Sequence, residues 1–395
     1  MPNFMLTRFP VYAQDLEVTA YFLRTDSNAL TTAESDPAHV LLSALTRSDI
    51  RPEGEERPFF VALPASLLQP EYLSLLPKEQ FHIAIDDAEL NDASIETLLA
   101  YAQKGYRFGI TRFRYRPETR RVLFAAKYLF VAADNGDAEI KKVVAEAKRM
   151  ALPVIATGIE DHESLKRVRT LKVDGYMGSF LTKPDLFNPV KVSSNRLVVY
   201  RLLEALSDPD VSFDVLENLL VQDNRLSYKL LKVLNSPTYA VAGRKITSIR
   251  DIIVMLGLDQ LRSWATLIAL TNIEDKPYEL MVTTMLRARM AQSMAEALGV
   301  ESPESAFMAG LLSTLDALLD REMVDVLSEL PVAPVLKDAL LQQAGPIGAV
   351  LRDVFNYERG DWATLSGSLL SRDDYRRCYT ESVIWASKLC ATLSA

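Results

Sequence analysis

The sequence predicts two joined folds, an α/β barrel followed by an all-helical bundle, and three observations carry that reading. Short β-rich runs recur every 20 to 26 residues or so in the first half, the pace of βα units. Strand signals cease after "KPDLFNPVKVSSN" (183–195). From there on, leucine and valine recur at three- and four-residue steps, as one-sided helices require. A Pro- and Ser-containing linker at that point divides the chain into a domain at 1–190 and a domain at 191–395.

The first half opens with two strand candidates, "FMLTRFPVYA" and "EVTAYFLRT". "PFFVAL" (58–63), "FHIAID" (81–86), "RFGITRF" (107–113), "KYLFVAA" (127–133), "PVIATGI" (153–159) and "DGYMGSF" (174–180) follow. About eight strands fit a closed barrel better than an open sheet, and the short domain implies trimmed helices. "DASIETLLAYAQKG" reads as a helix capped by Asn91 or Asp92 and stopped at Gly105. "DAEIKKVVAEAKRM" reads as the next.

The second half reads as successive helices, among them "NRLVVYRLLEALSD", "SFDVLENLLVQ", "NRLSYKLLKVLN" and "SIRDIIVMLG". Asn235-Ser236-Pro237 is a stop signal, because the residue before proline avoids the α region. Gly257 reads as a C-terminal cap. "PYELMVTTMLRARMAQSMAEALG" starts near Pro277 and ends at Gly299, with Met281, Met285, Met290 and Met294 as core filler. Trp264 and Trp385 read as buried anchors.

Composition bounds the function. The chain has 395 residues, 49% hydrophobic and 24% charged, with a formal net charge of −8. An acidic chain carries no overall electrostatic footprint for nucleic acid. Cys378 and Cys390 are the only cysteines. On one helix they would lie ~18 Å apart, beyond the ~7 Å a disulfide spans. That points to a reducing compartment. No signal-peptide pattern and no long apolar run is present, so a cytoplasmic protein with no membrane partner is expected.

The stretch "ATGIEDHE" (156–163) places four titratable residues at the end of a strand, where barrel chemistry sits. Asp161 also reads as the cap of the helix "HESLKRVRTL", with acids favouring its N-terminus. The other strand ends give Asp86 and Asp87, Thr111 and Arg112, alanines, and Met177. A divalent cation needs several hard oxygen ligands from different strands, and arginine at the rim opposes it.

The order of these motifs resembles an EAL domain, the barrel that hydrolyses cyclic di-GMP with two divalent metals. "AYFLR" is similar to the signature that names the family, with Phe22 in place of its Glu. "FVALP" has Ala62 for a metal-binding Asn. "IAIDD" has Ala84 for a metal-binding Glu, with Asp87 as a substitute for the acid that follows it. Thr111 and Arg112 replace the Asp-Asp pair, and Phe130 and Ala132 replace the Lys-Ile-Asp positions. In "VIATGIED", Thr157 replaces the first Glu while Glu160 matches the second. "DGYMGSFLTKP" resembles the closing element, with Met177 for Gln and Lys183 and Pro184 retained. The resemblance therefore implies a barrel that has lost its catalytic ligands, and the expectation is that the chain is not an enzyme.

The second half resembles the HDOD domain, a helical module related to the HD phosphohydrolases. Asp223, Asn235, Ser236, Tyr239, Ser248, Ile249, Leu256 and Gly257 fit its pattern. Ser313 and Thr314 stand where catalytic relatives carry His-Asp. The three histidines, His39, His82 and His162, all precede this half. Together the resemblances imply a bacterial signalling protein of the EAL–HDOD type, with no cofactor or metal.

The segment "RFGITRFRYRPETRR" (107–121) carries Arg107, Arg112, Arg114, Arg116, Arg120 and Arg121 against one acid, Glu118, with Phe108, Phe113 and Tyr115 interleaved. It reads as a solvated loop with local ion pairs, as a docking patch for an acidic protein surface, or as a phosphate site. The expected function is a non-catalytic signalling adaptor whose partners are other signalling proteins, with a homodimer as a further option. Two rivals stand beside it: a cyclic di-GMP receptor or residual phosphodiesterase, and a nucleic-acid-binding regulator using the arginine segment.

Overall fold

A computed structural model describes residues 5–25, 55–186, 194–208, 211–222, 224–235, 248, 251–252, 257–271, 273, 276–365 and 370–394. The chain forms two compact units, Met1–Leu181 with Glu358–Trp362, and Thr182–Tyr357 with Ala363–Ala395.

The first unit is a closed barrel in strand order β1 to β8. The strands are β1 Leu6–Tyr12, β2 Val18–Thr25, β3 Phe59–Ala62, β4 Phe81–Asp86, β5 Phe108–Thr111, β6 Ala126–Ala132, β7 Val154–Ile159 and β8 Gly175–Gly178. β2 to β8 pair in parallel, whereas β1 is antiparallel to both β2 and β8. This departs from the all-parallel expectation. The link between β1 and β2 is only a few residues, too short for a crossover, and is tightened by hydrogen bonds from the Ala13 amide to the Glu17 carbonyl and from the Leu16 amide to the Ala13 carbonyl.

The helices between the strands are α1 Pro70–Leu73, α2 Asp92–Gln103, α3 Asp137–Arg149 and α4 His162–Thr170. The Asn91 side chain caps α2 by accepting from the Ser94 amide, and Asp161 caps α4 in the same way. Between β5 and β6 only a 3₁₀ segment, Pro117–Phe124, replaces the expected helix, so trimming is real and local. Alternation sorts the strand residues into two cores. Tyr21, Phe59, Val61, Ile83, Phe108, Ile110 and Leu129 face the helices. Val11, Ala20, Phe60, Phe130 and Ile155 fill the lumen.

The second unit is helical: α5 Ser194–Ser207, α6 Phe213–Gln222, α7 Asn224–Leu234, α8 Leu258–Leu270, α9 Tyr278–Leu298, α10 Pro303–Leu312, α11 Leu315–Leu319, α12 Met323–Glu329, α13 Pro334–Gln342, α14 Gly345–Arg359, α15 Trp362–Leu365 and α16 Arg372–Ser394. The long helix α9 packs against α10 and α16 and buries its four methionines. α10 comes so close that a Cβ on Gly310 would lie 2.6 Å from the Arg287 carbonyl oxygen. Trp264 and Trp385 are half-buried, with ring centroids 6.2 Å apart. Cys378 and Cys390 are both buried, and among the described residues neither forms a disulfide. Among the described residues no helix is long and apolar enough to cross a membrane.

Candidate functional site

Strand register decides what lines the barrel. Phe22 lies opposite Phe60, Ala62 opposite Ala84, Asp86 opposite Thr111, Ala132 opposite Thr157, and Thr157 opposite Met177. These residues share the inward parity with the lumen side chains, because alternate strand residues point to one face. Every strand position singled out by the family resemblance therefore faces the lumen: Ala62, Ala84, Thr111, Ala132, Thr157 and Met177 towards the C-terminal mouth, with Phe22 and Phe130 in the ring layer beneath.

Below the mouth the lumen is packed with rings. Phe60 sits 4.9 Å from Tyr128, 5.0 Å from Phe130, 5.1 Å from His82 and 6.2 Å from Phe22, centroid to centroid. The space is made by Gly109, where a Cβ would lie 2.7 Å from the Phe130 ring. Sequence reading passed over Phe60 and Tyr128 as parts of ordinary strands. Only the register of four strands brings them together.

His82 is fully buried in this cluster, stacked on Tyr128, with Nε2 3.5 Å from an Arg107 guanidinium nitrogen. Burial, helped by the Arg107 charge, pushes its pKa down to about 4. Arginine can only donate, so Nε2 accepts and the ring proton sits on Nδ1, which has no hydrogen-bond partner among the described residues. Since the folded pKa lies below the unfolded value, the unfolded chain binds the extra proton first as pH falls. Stability from this residue is intact above about pH 6.5 and falls by ~1.4 kcal/mol per pH unit below it, until about pH 4. Urea midpoints across that range should fall more steeply in the native chain than in His82→Phe.

The mouth retains few oxygen donors, and most are engaged. The Thr111 and Thr157 hydroxyls each donate to a neighbouring strand carbonyl at 3.3 Å, those of Ile85 and Val131. Asp86 accepts from the Ala88 amide and pairs with Arg112, whose backbone is left-handed at φ 52°. Asp87 is buried, accepts from Arg116 at 2.7 Å, and leaves Oδ1 without a hydrogen-bond partner. Its burial raises the carboxyl pKa, against the opposing pull of Arg116 and the Arg114 amide. Glu160 is exposed past the end of β7. Asp161 is spent on its cap, whose hydrogen bonds from Ser164 hold its carboxyl below the usual range. His162 is half-buried, its ring 6.2 Å from Phe180. Among the described residues no cluster of three or more His, Cys, Asp or Glu is placed to hold a metal ion. Two adjacent carboxylates, each already facing a guanidinium, do not fit a two-cation centre.

The arginine segment is not one patch. Arg107 precedes β5 and Arg112 follows it, which sets their backbones ~17 Å apart at opposite ends of the barrel. Phe108 and Phe113 are fully buried, so they do not interleave with arginine on the surface. Tyr115 is half-buried, with Lys142 Nζ 5.3 Å from its ring centre. Arg121 reaches Glu96 at 3.3 Å. Arg114 and Arg120 are exposed and make no ion pair among the described residues. Sequence reading had treated the arginines as equals, whereas local pairs divide them.

In the helical unit, Asp223, Ser236, Tyr239, Ile249 and Leu256 lie outside the described residues, as does His39 in the first unit. The Asn235 amide donates to the Leu231 carbonyl at 2.8 Å, a local helix-end bond as expected. Gly257 stands at the N-cap of α8 with φ 83°, a conformation open to glycine, and residues 253–256, which bear on its reading as a C-terminal cap, lie outside the described residues. Where catalytic relatives carry His-Asp, Thr314 shares a buried hydrogen bond of 2.7 Å with Thr284, and the Ser313 hydroxyl donates to Gly310. Nearby, Lys276 and Asp320 form a buried pair at 2.5 Å, and Asp320 also accepts from the Asp185 amide at 3.0 Å. Lys183 is exposed and Pro184 half-buried.

Residues 194–330 match the HDOD domain family. The chain is 28% identical over 326 residues to cyclic di-GMP phosphodiesterase CdgJ of Vibrio cholerae, covering 80% of this chain and 75% of that one. It is 24% identical over 405 residues to the uncharacterized protein YuxH of Bacillus subtilis, covering 97% and 98%. Among solved structures, the FimX EAL domain of Pseudomonas aeruginosa bound to c-di-GMP matches with a TM-score of 0.36 and 14% identity, covering 45% of this chain and 89% of that one. The EAL enzyme Bd1971 in its cGMP-bound form matches with a TM-score of 0.38 and 14% identity, and this chain spans 60% of its length. The expectation of a closed barrel followed by a helical half that matches the HDOD family stands. The expectation that the chain is not an enzyme is overturned, because CdgJ bears the name of the very activity that the ligand losses were held to exclude.

Proposed function

We propose that this chain, an EAL-like barrel joined to an HDOD domain, is a cyclic di-GMP signalling protein that works through protein–protein recognition at the barrel rim. One observation carries the reading: Arg114 stands exposed, with no ion pair among the described residues, just past β5 beside a mouth whose ligand-bearing positions have become apolar or hydroxylic, and Arg120 is exposed in the segment that follows. Free guanidinium groups suit carboxylates on a partner. Reversing Arg112 or Arg116 would set a new carboxylate against Asp86 or Asp87 and perturb the fold, so the informative variant is Arg114→Glu/Arg120→Glu. Partners crosslinked to the native chain in its host should fall about tenfold with this variant, at an unchanged thermal melt. Equal capture would refute the reading.

The similarity to CdgJ favours a second reading, hydrolysis of cyclic di-GMP by the barrel. Purified full-length chain assayed with Mg²⁺ or Mn²⁺ decides it. Turnover that disappears in Asp87→Asn and Glu160→Gln would assign the activity to the mouth, and turnover insensitive to both would assign it elsewhere.

A further inference from the structure

The inward-facing residues at the ends of four strands are not sealed. Ala62 is exposed, and Phe22, Ala132 and Met177 are half-buried, although all four share the parity of the lumen core. At the C-terminal ends of β3 and β6, where Ala62 and Ala132 stand, side chains of that parity open onto the mouth. The mouth therefore has a largely apolar floor, interrupted by Thr111, Thr157 and Asp86 and backed by the ring cluster of Phe60 and Phe130. Its β5 side carries one cation with no ion pair among the described residues, Arg114, beside the Arg112–Asp86 and Arg116–Asp87 pairs. Arg112 follows β5 directly, and the Phe113 amide bonds the Phe130 carbonyl, which holds the backbone just before Arg114 beside β6. A largely apolar floor with an unengaged guanidinium beside it selects for a ligand with an apolar centre and a neighbouring anionic group.

We propose that the barrel mouth binds a linear peptide segment of a protein partner in which one apolar anchor side chain is flanked by acidic residues. This rests on the protein-recognition reading and gives it a chemistry. The anchor enters over Ala62, Ala132 and Met177, and the flanking carboxylates meet Arg114 in particular, because Arg112 is already held by Asp86. A desolvated anchor ringed by complementary charge concentrates binding energy at the centre and specificity at the edge.

The test uses the full-length chain and a random linear-peptide phage library. Selected peptides, labelled with fluorescein, are titrated by anisotropy against the native chain, Ala62→Trp, Ala62→Glu and Arg114→Glu. The expected result is enrichment of an aromatic or aliphatic anchor between Asp or Glu residues, with affinity falling about tenfold or more in each variant. Ala62→Trp fills the floor without charge and Ala62→Glu repels without filling it, so one serves if the other misfolds. Loss of affinity with Arg114→Glu but not with either floor variant would overturn the anchor and leave the recognition reading standing. Indifference to all three variants would overturn both. Failure to select any peptide, or selection of peptides without acids, would overturn the proposal.

Discussion

Phe60→Ala is expected to destabilise the barrel by about 3–5 kcal/mol, the range for deleting a large aromatic side chain from a packed core. Phe60 is fully buried and touches rings from three other strands: Phe22 on β2, His82 on β4, and Tyr128 and Phe130 on β6. Two stiff neighbours, Phe130 and Tyr128, meet its edges almost at right angles, at 86° and 90°, so the hole left behind cannot collapse cheaply. Phe60→Leu keeps much of the volume and should cost less. Urea denaturation followed by far-UV circular dichroism reads both. A loss below about 1 kcal/mol for the alanine variant would mean that the rings do not act as a single plug.

The second large effect lies in the helical unit. Lys276→Met is expected to cost about 3–5 kcal/mol, because it removes the cation from a buried ion pair and leaves the Asp320 charge less compensated. The side chains of Lys276 and Asp320 are 9% and 7% exposed. The cost comes from the less compensated charge more than from the lost attraction, so removing both charges should recover most of it. Asp320 has φ 54°, a left-handed conformation that asparagine tolerates. An asparagine oxygen can also keep the bond from the Asp185 amide. The double variant Lys276→Met/Asp320→Asn should therefore be more stable than Lys276→Met alone. A double variant as unstable as the single one would show that the loss is one of packing.

What the sequence makes legible follows the range of the interaction. Strand alternation, the Asn91 and Asp161 caps and the βα pace are set within a few residues, and each is readable in order. The antiparallel β1 was readable in principle, since the chain between Tyr12 and Val18 is too short to cross a barrel, but the regular βα pace that follows hides it. Phe108 and Phe113 look like partners of the arginines until strand parity and the Phe113–Phe130 backbone bond turn them inward. The pairing of Arg112 with Asp86 needs two things no local pattern reveals, the β4–β5 register and a left-handed residue at position 112. The mouth was legible as a list of replaced family positions. That those positions form one largely apolar floor is a property of register across all the strands.

Because the strands follow one another round the barrel in chain order, the ring is sealed where the first strand meets the last, Tyr12 beside Tyr176. On a ribosome the sheet must wait, open at both edges, until β8 has emerged from the exit tunnel. Unpaired edges recruit other chains, so this nascent interval is when the barrel is most exposed to misassembly. Premature termination before Gly175 would make that hazard permanent, leaving two sticky borders where the finished protein has none.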